Sequence, residues 1–242
     1  MKIIDIECLI VDKLYPYVVI QTDEGIIGFG ECFRRAPFVT KAAIETVYKD
    51  ILIGTDPLEI SNIWHKLFNA SSVAGPYGSL LTAVSGIDTA LWDIKLKEKN
   101  SSLSEEFGGK KKNFVDLYAS SMRRDMEPIE EAERAQYFYE MGFKYYKMHS
   151  AFPEEIDSPN DNTLKTVSAI RKLLGNKIEI MVDVNGAYSL NKAIEVGKEL
   201  QNFDVFQFEQ PVHVTMLDEM KIIQEELEIN ISSGECCYTV PD

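Results

Sequence analysis

Three acidic residues recur at matching places in the second half of this sequence. Asp183 follows the apolar run at residues 178–182, Glu209 follows the run at 205–208, and Glu235 follows Ile231-Ser232-Ser233-Gly234. Asp183 and Glu209 are twenty-six residues apart, and so are Glu209 and Glu235. Each apolar run reads as a strand, so each acid stands at a strand's C-terminal end. On successive parallel strands those ends are neighbours, and in a barrel they face the mouth where active sites lie. Three carboxylates converging there repel one another unless a cation joins them. Hard oxygen ligands with room left for water and substrate suit Mg2+ rather than Zn2+. The competing reading, solvated acids at strand ends, suits any one of them but not the equal spacing of all three.

One strand earlier lies Lys144-Tyr145-Tyr146-Lys147-Met148-His149-Ser150. Side chains alternate along a strand, so Tyr145, Lys147 and His149 share one face and Tyr146 and Met148 the other. If the apolar pair packs on surrounding helices, Lys147 and His149 point into the barrel at its upper end. A buried Lys needs an anion, which a substrate carboxylate supplies. Histidine is the side chain suited to proton exchange near neutral pH, so His149 is a candidate to take or return a proton; the plainer alternative is a polar residue hydrogen-bonded inside the barrel. His65 and His213 lack comparable surroundings.

The elements that position these groups fall into two regions. The first opens with strands: Ile4, Ile6, Cys8 and Ile10 alternate with Asp5, Glu7 and Leu9, and a second run covers residues 17–20. Thr22-Asp23-Glu24-Gly25 then turns the chain back as a hairpin into residues 26–30. Asp56-Pro57 reads as a helix N-cap followed by Pro at the first helical position. Leu80, Leu81, Val84, Ile87, Ala90, Leu91 and Ile94 form the stripe of a second helix. Gly108-Gly109 and Lys110-Lys111-Lys112 mark a break, placing a boundary near residue 115, with domains at 1–115 and 116–242.

Beyond it, apolar runs at 117–119, 145–148, 178–184, 205–208 and 229–231 alternate with amphipathic segments around Leu164–Leu173, Leu190–Leu200 and Met216–Leu227. Alternating strand and helix gives a parallel sheet with helical crossovers. The repeat of roughly 30 residues fits a (β/α)8 barrel, although a doubly wound open sheet fits the pattern alone nearly as well.

The bulk properties exclude several classes. The 242 residues carry 39 acidic and 25 basic side chains, a formal charge of -14. That balance argues against a nucleic-acid surface and against anionic lipid. The 45% hydrophobic content is that of a soluble globular protein. Cys8, Cys32, Cys236 and Cys237 show no C-x-x-C spacing, so a reducing cytoplasmic compartment is the simpler expectation. The N-terminus is acidic where a signal peptide would be apolar, and no stretch approaches a membrane span.

Several segments together resemble the mandelate racemase and muconate lactonizing enzyme family of the enolase superfamily. Gly142-Phe143-Lys144-Tyr145-Tyr146-Lys147-Met148-His149 is similar to its K-x-K segment, with His149 where a second Lys is common. Asp183-Val184-Asn185, Glu209-Gln210-Pro211 and Gly234-Glu235 resemble its three metal-ligand segments in the same order. Residues 85–95, from Ser85 to Lys95, resemble its capping-domain helix, and Thr22-Asp23-Glu24-Gly25 with Gly28-Phe29-Gly30-Glu31 resembles its N-terminal hairpin. Glu at the third ligand position is similar to the mandelate racemase-like branch.

The resemblance implies an α/β chain with an α+β N-terminal capping domain followed by a TIM (β/α)8 barrel. It implies Mg2+ on Asp183, Glu209 and Glu235, with Lys147 and His149 as catalytic groups. Loops near Phe33-Arg34-Arg35 and Ser72-Val73-Ala74-Gly75-Pro76-Tyr77 resemble those that close over substrate. Arg34, Arg35, Tyr77 and Asn185 are therefore candidate substrate contacts, with solvated arginines an equal alternative. The implied function is a lyase that removes the proton α to a carboxylate and dehydrates an acid sugar through an enediolate. The alternatives are a racemase or epimerase of the same superfamily, or a catalytically dead fragment.

About five of the eight barrel strands are encoded. The expectation is therefore an incomplete, C-terminally truncated barrel, inactive alone and a homo-oligomer when complete.

Overall fold

A bulge sets which face of the first strand is buried. In the computed structural model, which describes residues 1–75 and 77–239, β1 (Ile3–Val11) pairs antiparallel with β2 (Tyr15–Thr22), and β2 with β3 (Ile27–Glu31). The β1 register shifts between Ile3 and Asp5. As a result Ile3, Ile6 and Cys8 are buried while Ile4 is exposed, against the unbroken alternation read from the sequence. A bulge inserts one unpaired residue and so switches the face of everything before it. The β2–β3 turn forms where expected: the Gly25 N–H donates to the Thr22 carbonyl at 3.1 Å, and Gly25 takes φ +80°.

Helices α1 (Pro37–Ala43) and α2 (Lys49–Leu52) flank a π-helical turn, and α3 (Ile60–Ser71) follows. Asp56-Pro57 does not cap a helix. The Asp56 carboxylate accepts from the Leu58 N–H at 3.0 Å and closes a turn, so α3 starts three residues after Pro57. The long helix α4 (Ser79–Lys99) buries Leu81, Val84, Ile87, Ala90, Leu91 and Ile94. A short α5 (Leu103–Glu106) ends this first unit, which spans Met1–Asn113. Pro76 and residues 240–242 lie outside the described residues.

The second unit, Phe114–Asp242, is built on five parallel strands in sequential order. They are β4 (Tyr118–Ser120), β5 (Tyr145–Met148), β6 (Glu179–Asp183), β7 (Gln207–Glu209) and β8 (Asn230–Ser232). Helices α6 (Pro128–Glu140), α7 (Thr163–Leu174), α8 (Leu190–Asn202) and α9 (Leu217–Glu226) supply the crossovers. Their apolar stripes pack with Tyr146, Met148, Ile180, Val182 and Phe208 into one core. An antiparallel sheet with its helices, followed by consecutive parallel strands of an α/β barrel, is the element order that the sequence resemblance implies. Among the described residues no helix is long and apolar enough to cross a membrane, and all four cysteines are free.

In the first unit the strand–helix contact is backbone on backbone. A Cβ on Gly30 would come within 2.0 Å of the Gly86 carbonyl, and one on Gly28 within 2.2 Å of the Ala90 carbonyl. Both neighbours are main chain and cannot swing away. Gly30→Ala should therefore lower unfolding stability by about 1–3 kcal/mol, measured as the urea midpoint of the intact chain. An unchanged midpoint would contradict this packing.

Candidate active site

Strand register brings the charged residues together. Asp183 lies directly opposite Glu209 in the β6–β7 pair, and Lys147 pairs with Met181 one strand over. Alternation then sorts the side chains of β5. Tyr146 and Met148 are fully buried in the core under the helices, and the Tyr146 hydroxyl donates to Glu131 on α6 at 2.7 Å. Lys147 and His149 take the opposite face. The Lys147 ammonium donates to Asp183 Oδ2 at 2.9 Å and to Glu209 Oε2 at 3.0 Å. His149 Nε2 lies 3.1 Å from the same Asp183 oxygen. Asp183 is 2% exposed and His149 1%.

Burial opposes ionisation of Asp183, but the hydrogen bonds from His149 and Lys147 outweigh it and hold its carboxyl below the usual range. For Lys147, burial works against the charge, and the bonds to Asp183 and Glu209 win, so its pKa is raised. The other His149 nitrogen, Nδ1, lies 2.5 Å from the Ser121 carbonyl. A carbonyl only accepts, so Nδ1 carries a proton, and Nε2 donates to Asp183 only as imidazolium.

The strand-end loops are fixed around this cluster. The Asn185 N–H donates to Asp183 Oδ1 at 3.0 Å, and Gln207 Nε2 donates to Glu209 Oε2 at 3.3 Å and to Ser232 Oγ at 2.5 Å. Asn185 and Gln210 sit at φ +47° and +45°, a left-handed conformation that costs energy for residues with a Cβ. Cross-strand bonds hold them there, from Gly186 N–H to the Gln210 carbonyl at 2.7 Å and from Gln210 N–H to the Ser232 carbonyl at 2.8 Å.

Of the residues singled out in the sequence, Lys147, His149, Asp183, Glu209 and Asn185 come together. Glu235 does not join them: it is exposed, in a turn beyond the end of β8. Among the described residues no three His, Cys, Asp or Glu side chains are arranged to hold a metal. Arg34, Arg35 and Tyr77 are exposed and belong to the first unit. Sequence reasoning missed Arg124, which donates to Asn185 Oδ1 and to the Ala151 carbonyl. It also missed Gln207, although the sequence places it two residues before Glu209, on the same strand face. Asp183 and Glu209 already share one cation, the Lys147 ammonium, through hard carboxylate oxygens, and that donor chemistry fits Mg2+.

Comparison with known proteins covers nearly the whole chain. Residues 11–108 match the mandelate racemase/muconate lactonizing enzyme N-terminal domain, and residues 130–242 match the enolase C-terminal domain-like family. The chain is 35% identical over 227 residues to D-galactarolactone cycloisomerase of Agrobacterium fabrum, covering 92% of this chain and 58% of that protein. It is 30% identical to arabinonate dehydratase of Saccharolobus solfataricus, covering 91% of this chain and again 58% of the relative. The chain thus spans under two thirds of the length of these relatives. Among solved structures, the 3,6-anhydro-D-galactonate cycloisomerase of Zobellia galactanivorans superposes with a TM-score of 0.85 at 32% identity, over 98% of this chain and 66% of that one. A mandelate racemase/muconate lactonizing protein from Paracoccus denitrificans PD1222, complexed with magnesium, shares the fold with a TM-score of 0.92 at 24% identity, over 99% and 66% of the two chains.

The ion cluster has a pH signature. Asp183 has a depressed folded pKa, so its contribution is present above the unfolded value of about 3.9 and is lost as pH falls through the folded value. Lys147 has a raised folded pKa, so its contribution is present below about 10.4 and is lost as pH rises through the folded value. Lys147→Met in metal-free buffer should lose about 3–5 kcal/mol near neutral pH, because two carboxylates are left facing each other. It should also flatten both slopes in urea titrations run across pH. Equal stability of the variant and the parent at pH 7 would contradict the cluster.

Proposed function

The chain belongs to the mandelate racemase/muconate lactonizing enzyme family of the enolase superfamily, and from that premise we propose that it forms the proton-abstracting site of an acid-sugar dehydratase. The substrate on this reading is a small carboxylic acid bearing hydroxyls, in line with the sugar acids named for its relatives. One observation supports it above the rest: a buried ammonium shared by two carboxylates at the C-terminal ends of adjacent parallel strands.

A proton α to a carboxylate is very weakly acidic, because its removal places a second negative charge on one small group. Bound Mg2+, for which the enolase-superfamily pattern is the precedent, would neutralise part of that charge at the substrate carboxylate. Asp183 and Glu209 would hold it, and Glu235, exposed beyond β8, is the third ligand that the family pattern implies. The same two carboxylates now hold Lys147. With those carboxylates on a metal ion, the Lys147 ammonium would be the group available to stabilise the enediolate oxygen. The Ser121 carbonyl keeps a proton on His149 Nδ1, which leaves Nε2 as the nitrogen that exchanges one with substrate. Expulsion of the β-hydroxyl then gives dehydration. Return of the proton to the same carbon would give a racemase or epimerase, the second reading for which the same residues serve.

Calorimetry should show Mg2+ affinity falling steeply in Asp183→Asn and Glu209→Gln and less in Glu235→Gln. In turnover assays with acid-sugar substrates, His149→Asn should lower turnover by about 10²–10⁴, and Lys147→Met by more. A 2-keto acid product identifies dehydration, and an epimer identifies the second reading. Unchanged Mg2+ affinity in all three carboxylate variants would remove the metal assignment. Near-normal turnover in Lys147→Met would remove its oxyanion role.

A further inference from the structure

Arg124 and Arg171, two of the three half-buried arginines of the second unit, hold their guanidinium groups differently. Arg171 uses four of its five N–H donors: it donates to the carbonyls of Phe203, Gly175, Ile178 and Asp204 at 2.6–3.0 Å, joining the loops around α7 and α8 as a structural staple. Arg124 makes two bonds only, from Nε to the Ala151 carbonyl at 2.9 Å and from Nη2 to Asn185 Oδ1. Both partners are neutral. Arg124 enters none of the ion pairs among the described residues, although the chain carries 39 acidic side chains. The neighbouring Arg123 shows the contrast, gripping Asp125 through Nε and Nη2 at 2.7 and 2.9 Å.

A guanidinium has five N–H donors, so two bonds leave Arg124 a fork of the kind that grips carboxylates in bidentate fashion. Its place is equally specific. It follows β4, and its two anchors follow β5 and β6, at the strand ends that carry the ion cluster. Asn185, one of those anchors, donates its N–H to Asp183 Oδ1 at 3.0 Å. Arg124 is thus a half-buried cation fixed by neutral oxygens and paired with none of the carboxylates at these strand ends.

We propose that Arg124 binds a second carboxylate of the substrate, so that the site selects a diacid sugar over the corresponding monoacid. The proposal rests on the acid-sugar reading above, in which the first carboxylate is engaged by the Lys147 end of the site. Asn185 then acts as a positioning residue, tying the Arg124 fork to the loop that carries Asp183.

The test is calorimetric binding of two matched pairs, galactarate with galactonate and glucarate with gluconate, to the Mg2+-loaded protein. Members of a pair differ only in whether the terminal carbon is a carboxylate. The parent should prefer at least one diacid by about 10- to 100-fold, the scale of a charged hydrogen-bonded pair. Arg124→Gln should bring that preference close to one while leaving monoacid and Mg2+ affinity unchanged. Arg124→Lys, which keeps the charge without the fork, should retain part of it and covers the case in which the Gln variant folds poorly. A preference that survives in Arg124→Gln overturns the proposal, as does equal loss of diacid and monoacid, which would place Arg124 on the shared carboxylate. Equal binding of both members of each pair by the parent overturns the proposal alone. Mg2+ binding with none of the four acids bound overturns the acid-sugar reading as well.

Discussion

Two carboxylates held face to face at the ends of neighbouring strands are the constraint around which the second unit is arranged. At an effective dielectric near 20, two like charges about 4 Å apart repel by roughly 4 kcal/mol, and burial raises the cost of each. Asp183 and Glu209 stand directly opposite each other in the β6–β7 register. The Lys147 ammonium resolves the conflict by bonding to both. It reaches them because Tyr146 and Met148 anchor the other face of β5 in the core and fix the direction of every second side chain. His149 Nε2 approaches the same Asp183 oxygen from the same strand face. Strand register, side-chain alternation and charge pairing are one interlocked arrangement.

The same arrangement links stability to chemistry. Asp183 and Glu209, which hold an ammonium in this structure, have the donor atoms a hard divalent cation requires. On the proposed reading, a metal ion taken up by these two carboxylates would leave the Lys147 ammonium available to a substrate. The left-handed backbone at Asn185 and Gln210, each within two residues of a carboxylate, is strain of the sort that persists where surrounding hydrogen bonds impose it.

Much of this was legible in the sequence, for physical reasons. The strands of the second unit are short apolar runs, and burial on both faces of β5 and β6 makes those two the most conspicuous. The acids that end them stand out because a charge closes an apolar segment. Alternation alone placed Lys147 with His149 and opposite Tyr146. Helix α6 was missed because its buried face is Glu131, Ala132 and Ala135 rather than large aliphatic residues, so it leaves almost no hydrophobic stripe. Ile4 was misassigned because a bulge leaves no mark on an alternating pattern. Asp56-Pro57 has the residue types of a helix start and of a turn, and the turn prevailed. Arg124 was invisible because its significance lies in which donors are left over, a property of contacts rather than of spacing. The exposed position of Glu235 likewise depends on the turn that follows β8, which equal spacing along the chain does not determine.

The claim that Lys147 is the counter-charge shared by the paired carboxylates is tested most directly by a double-mutant cycle. Unfolding free energies would be measured in metal-free buffer at pH 7 for the parent, Lys147→Met, Asp183→Asn and the double variant. The account predicts a coupling energy of at least about 1 kcal/mol, within the range of interacting neighbours. Neutralising Asp183 should then recover part of the stability lost when Lys147 is removed. Additive effects, with a coupling within about 0.3 kcal/mol of zero, would contradict it.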